Sequence, residues 1–270
     1  MSDFLATMAR ERLETVLRDA SREPVSALRA RAEERRGDKR SFEDALRRPA
    51  GTPLRVVAEL KQASPSAGVL QPSFDPVTLA KEYEACGAAA VSVLTEPTRF
   101  LGSIEDLARV RDVVSVPVLL KDFIVHERQI YEGAARGADA ALLIVAMLEA
   151  GQLRDYAALA TDLGMSALLE VHEEREIDAA LAIPGAIGVN NRDLRTLAIR
   201  SGHAERLLTR IPADRVRVGE SGYRTRAEIQ TLARAGADAV LIGETLLRAA
   251  TPREAFDELF GNRAGEREQE

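Results

Sequence analysis

The sequence predicts an α/β protein built as a single (β/α)8 barrel with an N-terminal helical extension. Three observations carry this. From residue 54 onward, strand-like and helical patterns alternate in eight successive pairs, which implies a closed parallel barrel. The strand-like runs are near-continuous Val, Ile, Leu and Ala, as parallel strands buried on both faces should be. Related phrases recur ahead of strands: CGAAAVSVL at 86–94, RGADAALLI at 136–144 and AGADAVLIG at 235–243. Each joins a helix-ending glycine to the strand that follows, so they read as echoes of one building unit. A doubly wound open sheet is the competing architecture. The lack of a Gly-x-Gly-x-x-Gly fingerprint counts against it.

Residues 1–48 form the extension. Leu5, Met8, Leu13, Val16, Leu17 and Ala20 repeat at helical spacing, and Pro24 ends that helix. A second helix covers roughly 25–36, and Ser41-Phe42-Glu43-Asp44 reads as the capped start of a short third one. Arg35, Arg36, Lys39 and Arg40 make a basic run among interleaved acids, the pattern of a solvated face. The extension is amphipathic with no core of its own. It is expected to cover part of the site opening and to be removable without loss of barrel solubility. The barrel occupies 49–260, and a polar tail, 261–270, closes the chain. Strands fall at 54–60, 89–94, 117–121, 139–145, 166–171, 186–190, 215–219 and 238–242. Helices fall at 76–86, 103–114, 127–136, 149–163, 173–182, 202–210, 224–235 and 244–260.

Composition narrows the function. No apolar run approaches the roughly 18 residues of a membrane span. The N-terminus lacks the apolar segment of a signal peptide, which suggests a cytoplasmic protein. The net charge of −6 argues against a nucleic-acid partner. Cys86 is the single cysteine and reads as packing late in a helix. His126, His172 and His203 are scattered, and no Cys/His cluster has metal-ligand spacing. Lysine occurs only at 39, 61, 81 and 121 among 37 basic residues. Arginine cannot lose its proton in a protein, whereas a partly buried lysine can. Lys61 and Lys121 both fall at predicted strand ends.

In a barrel of this kind, function sits at the C-terminal ends of the strands. The first strand ends in Glu59 and Lys61, whose spacing of two places both on one side. An ordinary ion pair at a strand end is the bland account of these two alone. The second strand ends in Leu94-Thr95-Glu96, followed by Phe100 to Ser103. The third gives Lys121-Asp122-Phe123 and the fifth Glu170. The sixth gives Asn190-Asn191-Arg192-Asp193, the seventh Glu220-Ser221-Gly222 and the eighth Gly243-Glu244. Any one of these has a bland explanation as a cap or ion pair. Their joint placement on one rim does not. Ser221-Gly222 and Gly243-Glu244 each set a glycine at the start of a helical region. There a ligand can approach the backbone and helix amides attract anions, so a phosphate site is expected.

Six stretches stand out in order: Ala58-Glu-Leu-Lys-Gln-Ala-Ser-Pro-Ser66, Ser92-Val-Leu-Thr-Glu96, Phe100 to Ser103, Leu120-Lys-Asp-Phe-Ile124, Gly188-Val-Asn-Asn-Arg-Asp-Leu194 and Gly219-Glu-Ser-Gly222. Together they resemble the indole-3-glycerol phosphate synthase family over almost the whole chain. The resemblance implies a cytoplasmic enzyme of tryptophan biosynthesis. Its reaction is the closure, decarboxylation and dehydration of 1-(2-carboxyphenylamino)-1-deoxyribulose 5-phosphate to indole-3-glycerol phosphate, carbon dioxide and water. Matching positions give Glu59, Lys61, Lys121, Glu170, Asn190 and Glu220 as the polar active-site set. By the same match Ser64, Arg192, Ser221, Gly222, Gly243 and Glu244 bind substrate, several of them at its phosphate. Phe100, Phe123 and Leu194 would offer an apolar surface to its aromatic ring. Two departures exist: Ala67 stands where many members carry a basic residue, and the chain has no tryptophan.

The implied chemistry needs no cofactor and no metal, because the anilino nitrogen serves as electron sink when carbon dioxide leaves. Lys121 is the expected general acid, with Lys61 and Arg192 nearby expected to lower its pKa. The partner is a small phosphorylated substrate, not nucleic acid or membrane, and other tryptophan-pathway enzymes stay open as partners. Two readings compete. A phosphoribosylanthranilate isomerase needs one acid and one base rather than a Lys-Glu set over five strands. A silent barrel kept for binding would be expected to lack a site residue, and none is missing.

Overall fold

The computed structural model describes residues 3–19 and 23–261. Eight parallel strands close into a barrel: β1 (Arg55–Leu60), β2 (Ala90–Leu94), β3 (Val118–Lys121), β4 (Ala140–Ile144), β5 (Ser166–Val171), β6 (Ala186–Asn190), β7 (Arg217–Glu220) and β8 (Ala239–Ile242). Each strand pairs with its neighbours in sequence, and β1 pairs with both β2 and β8, so no edge is left open. The open doubly wound alternative is thereby ruled out.

Side chains alternate along every strand. Val57, Leu119, Leu142, Leu168, Val218 and Leu241 fill the barrel interior, while Val56, Val91, Leu120, Leu143, Leu169 and Val240 face the helices. The recurring phrases are structural devices. Gly87, Gly137 and Gly236 follow helix ends with φ of 95°, 93° and 91°, a region open to glycine at no steric cost. In the two Gly-Ala-Asp-Ala copies, Asp139 accepts the amide of Val118 at 2.8 Å and Asp238 that of Arg217 at 2.9 Å. Each aspartate thus ties the start of one strand to the start of the one before it.

The outer helices are α4 (Pro76–Ala85), α5 (Ile104–Arg111), α6 (Glu127–Ala135), α7 (Ala150–Asp162), α8 (Ile177–Leu181), α9 (His203–Leu208), α10 (Arg226–Arg234), α11 (Glu244–Arg248) and α12 (Pro252–Phe260). Two differ from the sequence pattern. The expected helix over 173–182 begins with a 3-10 turn, Glu174–Glu176, before α8. The expected helix over 244–260 is two helices, because Thr251 caps a new start and Pro252 takes its first position.

The extension spans the barrel from end to end. It comprises α1 (Asp3–Asp19), α2 (Val25–Glu34) and α3 (Phe42–Leu46). Helix α1 lies at the C-terminal end of the strands. Its Arg12 donates to both oxygens of Asp122, at 2.9 and 2.7 Å. Helix α2 packs Leu28 and Ala32 into the outer core beside α6. Ser41 caps α3 by accepting from the Asp44 amide. Phe42 and Leu46 are fully buried in the same cluster as the inward residues Val57, Ala90, Ala140 and Val216. They plug the N-terminal end of the barrel.

The basic run at 35–40 is only partly the solvated face its charge pattern suggests: Arg36 is exposed, while Lys39 and Arg40 dock on the barrel. Lys39 donates to the Ala134 carbonyl at 2.9 Å, and burial pushes its ammonium down to about 8. Arg40 donates its amide to Asp139 and its guanidinium to the Val116 carbonyl. These groups stitch the extension to the barrel's N-terminal rim. Removing residues 1–48 would break these contacts. Ala20 of the helical pattern and all of the polar tail beyond Gly261 lie outside the described residues.

The Arg12–Asp122 pair supports a prediction. Asp122 is buried, and Arg12, the Thr95 hydroxyl and the Phe123 amide all donate to it. Arg12→Ala leaves a buried carboxylate short of its cation, which costs about 3 kcal/mol. Urea unfolding should show this loss, and a restoring Arg12→Lys would recover only part of it because the two-pronged geometry is gone.

Candidate active site

The inward positions of the strands carry their alternation past the apolar core and onto the rim. In β1 the inward series 57, 59, 61 delivers Glu59 and Lys61. In β3 it delivers Lys121 and Phe123, in β5 Glu170 and His172, in β6 Gly188 and Asn190, in β7 Glu220, and past β8 Gly243. One parity rule therefore gathers most of the expected set.

Charge is arranged around Glu59. Lys61 Nζ donates to Glu59 Oε1 at 2.5 Å, and Lys121 Nζ stands 3.8 Å from Glu59 Oε2. The same ammonium is 3.7 Å from Glu170 Oε2. Burial works against ionised Glu59, but Lys61 and Lys121 outweigh it and hold the carboxyl below its usual range. Burial also favours neutral Lys121. The carboxylates of Glu170, Glu59 and Glu220 overcome that, and its pKa is raised. The expected lowering by Lys61 and Arg192 does not occur. Lys61 spends its charge on Glu59, and the Arg192 guanidinium turns to the Leu197 carbonyl at 2.8 Å and the Ser66 hydroxyl at 3.3 Å.

Above this cluster opens a cavity with an empty volume of about 750 Å³. Ser64, Lys61, Glu170 and Asn190 line its polar part, and Phe100, Phe123 and Leu194 its apolar part. The rings of Phe100 and Phe123 are 6.2 Å apart, and Phe4 of α1 meets Phe123 edge-on at 6.4 Å. Past the end of β1, residues 63–64 and 68–69 form a two-stranded hairpin. Its Ala63 amide donates to the Phe100 carbonyl, joining the loops after β1 and β2. Glu96 is structural: its carboxylate accepts from the amides of Thr98, Arg99 and Phe100.

A second cavity, of about 500 Å³ empty volume, adjoins the first and shares Glu59, Lys61, Lys121, Arg192 and Ser221 with it. Gly222, Gly243 and Glu244 line its far side. Ser221 and Gly222 hold left-handed backbone, with φ of 65° and 86°. The expected helix start after β7 is absent there, since α10 begins only at Arg226. Gly243 does cap α11 directly. The Glu244 carboxylate pairs with Arg248 at 2.9 Å, so this residue offers the cavity its backbone. Thr245 ties the two loops by donating to the Tyr223 carbonyl at 2.7 Å.

Gly243 also packs against the charged pair at the end of β1. A Cβ there would lie 2.5 Å from Glu59 Oε1 and 3.0 Å from Lys61 Nζ. Gly243→Ala should therefore lower kcat as well as raise KM, by about tenfold each. Steady-state kinetics resolve the two. At Gly222, a Cβ would strike Ile199 at 2.4 Å on left-handed backbone, so substitution there costs stability.

Glu220, expected at the end of β7, lies beneath the pocket and lines neither cavity. Three residues at the site escape the strand-end reading. His172 stands with its Nε2 3.1 Å from Glu170 Oε1. Its spacing of two from Glu170 repeats that of Glu59 and Lys61, a signal that was present in the sequence. Phe4 and Ser66 had none, because they lie off the strand ends. Among the described residues, no group of His, Cys, Asp and Glu is arranged to hold a metal, and no helix is long and apolar enough to cross a membrane.

Comparison with known proteins separates fold from family. A solved structure described as "Native KDPGal structure" matches with a TM-score of 0.54, covering 80% of this chain and 96% of that one. It is only 16% identical and speaks for the fold alone. A family model described as indole-3-glycerol phosphate synthase matches residues 5–259. The indole-3-glycerol phosphate synthase of Chromobacterium violaceum is 43% identical over 262 residues, covering 96% of this chain and 98% of its own. That of Chloroherpeton thalassium is 50% identical over 210 residues, covering 77% and 81%. With its lysines and carboxylates gathered on the rim of a closed (β/α)8 barrel, and with relatives so named along its length, this chain belongs to the indole-3-glycerol phosphate synthase family, carboxy-lyases of tryptophan biosynthesis.

Proposed function

We propose that the two cavities bind one substrate, 1-(2-carboxyphenylamino)-1-deoxyribulose 5-phosphate, with its ring in the larger and its phosphate in the smaller. The observation that carries this is the Glu59 carboxylate set between two lysines where the cavities join. The aromatic ring lies among Phe100, Phe123, Leu194 and Phe4. The phosphate takes the backbone of Ser221, Gly222, Gly243 and Glu244, with Arg192 and Ser64 near the junction.

The ring carbon bearing the carboxylate attacks the ketone. Lys121 gives its proton to the ketone oxygen as the carbon–carbon bond forms, leaving a hydroxyl. The anilino nitrogen carries the resulting positive charge. Loss of carbon dioxide returns the carboxylate's bond electrons to the ring. The hydroxyl then departs as water with a proton from Lys61, while Glu170 removes the proton whose loss completes the indole. Glu59 holds Lys61 in place, and Asn190 and Glu220 support Glu170. Lys121 enters the reaction firmly protonated, so developing negative charge on the ketone oxygen must draw the proton across.

In this reading residues 1–48 act as an extension of the 49–260 barrel, with α1 walling the ring pocket. Incubating the purified protein with the carboxyphenylamino sugar phosphate should generate indole fluorescence. Substrate that binds but gives no indole product would defeat the assignment of Lys121, Lys61 and Glu170.

A further inference from the structure

Two buried carboxyls, Glu170 in the pocket wall and Glu220 beneath it, lack donors that buried carboxylates require. Glu220 is 1% exposed, and neither of its oxygens has a hydrogen-bond partner. Glu170 is nearly as buried. Its Oε1 faces His172, while its Oε2 has no hydrogen-bond partner, with Lys121 Nζ at 3.7 Å. A buried oxygen without a donor forfeits its hydration for nothing, and such groups call for an explanation.

Gly188 brings the two together. It sits on β6, between the strands that carry Glu170 and Glu220, and is in register with Glu170. A Cβ on Gly188 would stand 2.0 Å from Glu220 Oε1 and 3.1 Å from its Cδ. The Glu220 carboxyl thus fills the space a side chain at 188 would take, beside the position paired with Glu170. The charge count points the same way. Lys61 and Lys121 supply two positive charges, against three carboxyls at Glu59, Glu170 and Glu220. Fully ionised, these five side chains alone would be net negative. A single added proton makes them neutral.

We propose that Glu220 is a protonated positioning residue that donates a hydrogen bond to Glu170, with Gly188 as the gap through which they meet. Burial and then the charge of Glu170 push the Glu220 carboxyl well up. Lys121 opposes this, and Glu59 adds to it. At Glu170 the same burial is outweighed by Lys121 and His172, which hold its carboxyl down. Tyr223 is the other titratable group near Glu220, and burial keeps its phenol protonated. Two like charges this close do not both ionise, and the proton resides on the member without a cation. Glu170 is then left as a fixed anion facing Lys121 and the pocket, which is what its proposed role as a base requires.

Infrared spectra of the full chain without substrate, in H2O and D2O at neutral pH, test the proton directly. A protonated-carboxyl C=O stretch that shifts in D2O is expected, and Glu220→Gln should remove it. Absence of the band, or its survival in Glu220→Gln, would overturn the proposal. A second arm reads turnover and rests on the ring-closure reading above. Gly188→Ala keeps every titratable group but displaces the Glu220 carboxyl. With its circular dichroism unchanged, it should lower kcat by about tenfold to a hundredfold and move KM less than about threefold. Normal kcat in folded Gly188→Ala would sink the positioning role. The infrared arm uses no substrate, so it stands or falls apart from the assigned reaction and also if Gly188→Ala fails to fold.

Discussion

Lys121→Arg should lower kcat by about two to four powers of ten while KM moves only a few-fold, because acid–base catalysis is lost and binding is not. The substitution keeps a positive charge beside Glu59 and Glu170, the two carboxylates that flank Lys121 Nζ at 3.8 and 3.7 Å. An electrostatic role, drawing in carboxylate or phosphate, would survive it. A proton donor would not, since guanidinium holds its proton far more tightly than ammonium. The raised pKa of Lys121 sharpens this contrast, for the group is loaded with its proton before substrate arrives. Glu170→Gln is the companion, matching the carboxylate in size but unable to take a proton. Steady-state kinetics on both, with single-turnover traces to isolate chemistry, would settle the roles. Near-normal turnover in Lys121→Arg would transfer the acid's role to Lys61.

Much of this site was legible because a barrel strand is a two-residue repeat. Once the eight strands are placed, inward parity alone takes the eye from Val57 to Glu59 to Lys61, and from Leu168 to Glu170 to His172. The scarcity of lysine was a weaker guide than it looked. Lys61 and Lys121 do sit in the site, but Lys81 is exposed on α4 and Lys39 is docked at the opposite end of the barrel. What stayed illegible depends on contacts between residues far apart in sequence. Nothing local to Phe4 says that it will meet Phe123, or to Arg12 that it will clasp Asp122. The pKa of Lys121 was misjudged for the same reason. A count of nearby cations could not show that Lys61 and Arg192 turn elsewhere while three carboxylates close in. The run from 244 to 260 splits because a second cap, Thr251-Pro252, intervenes, and the run from 173 opens as a 3-10 turn before α8.

The N-terminal extension separates into two parts by what each buries, and truncation should expose the difference. Phe42 and Leu46 are fully enclosed among the inward side chains at the N-terminal end of the barrel, in contact with β1 and β2. Their neighbours there, Ala90, Ala140, Ala186 and Ala239, are small, so the strands alone leave space that these two side chains fill. Phe42→Ala should cost about 3–5 kcal/mol, the usual loss for emptying a buried aromatic site. Because α3 lies at the far end from the rim, KM should be unchanged while the protein remains folded. Helix α1 should act on the site as well as on stability. It contributes Phe4 to the apolar wall of the larger cavity and Arg12 to Asp122, next to Lys121. A chain starting at Glu23 should keep a cooperative unfolding transition and show a raised KM. A chain starting at Pro49 should lose the plug and the cooperative transition together, and should aggregate. Chemical denaturation and kinetics on the three variants give the answer. A soluble, cooperatively folded chain from Pro49 would show that the strands close their own floor, and that the plug is dispensable.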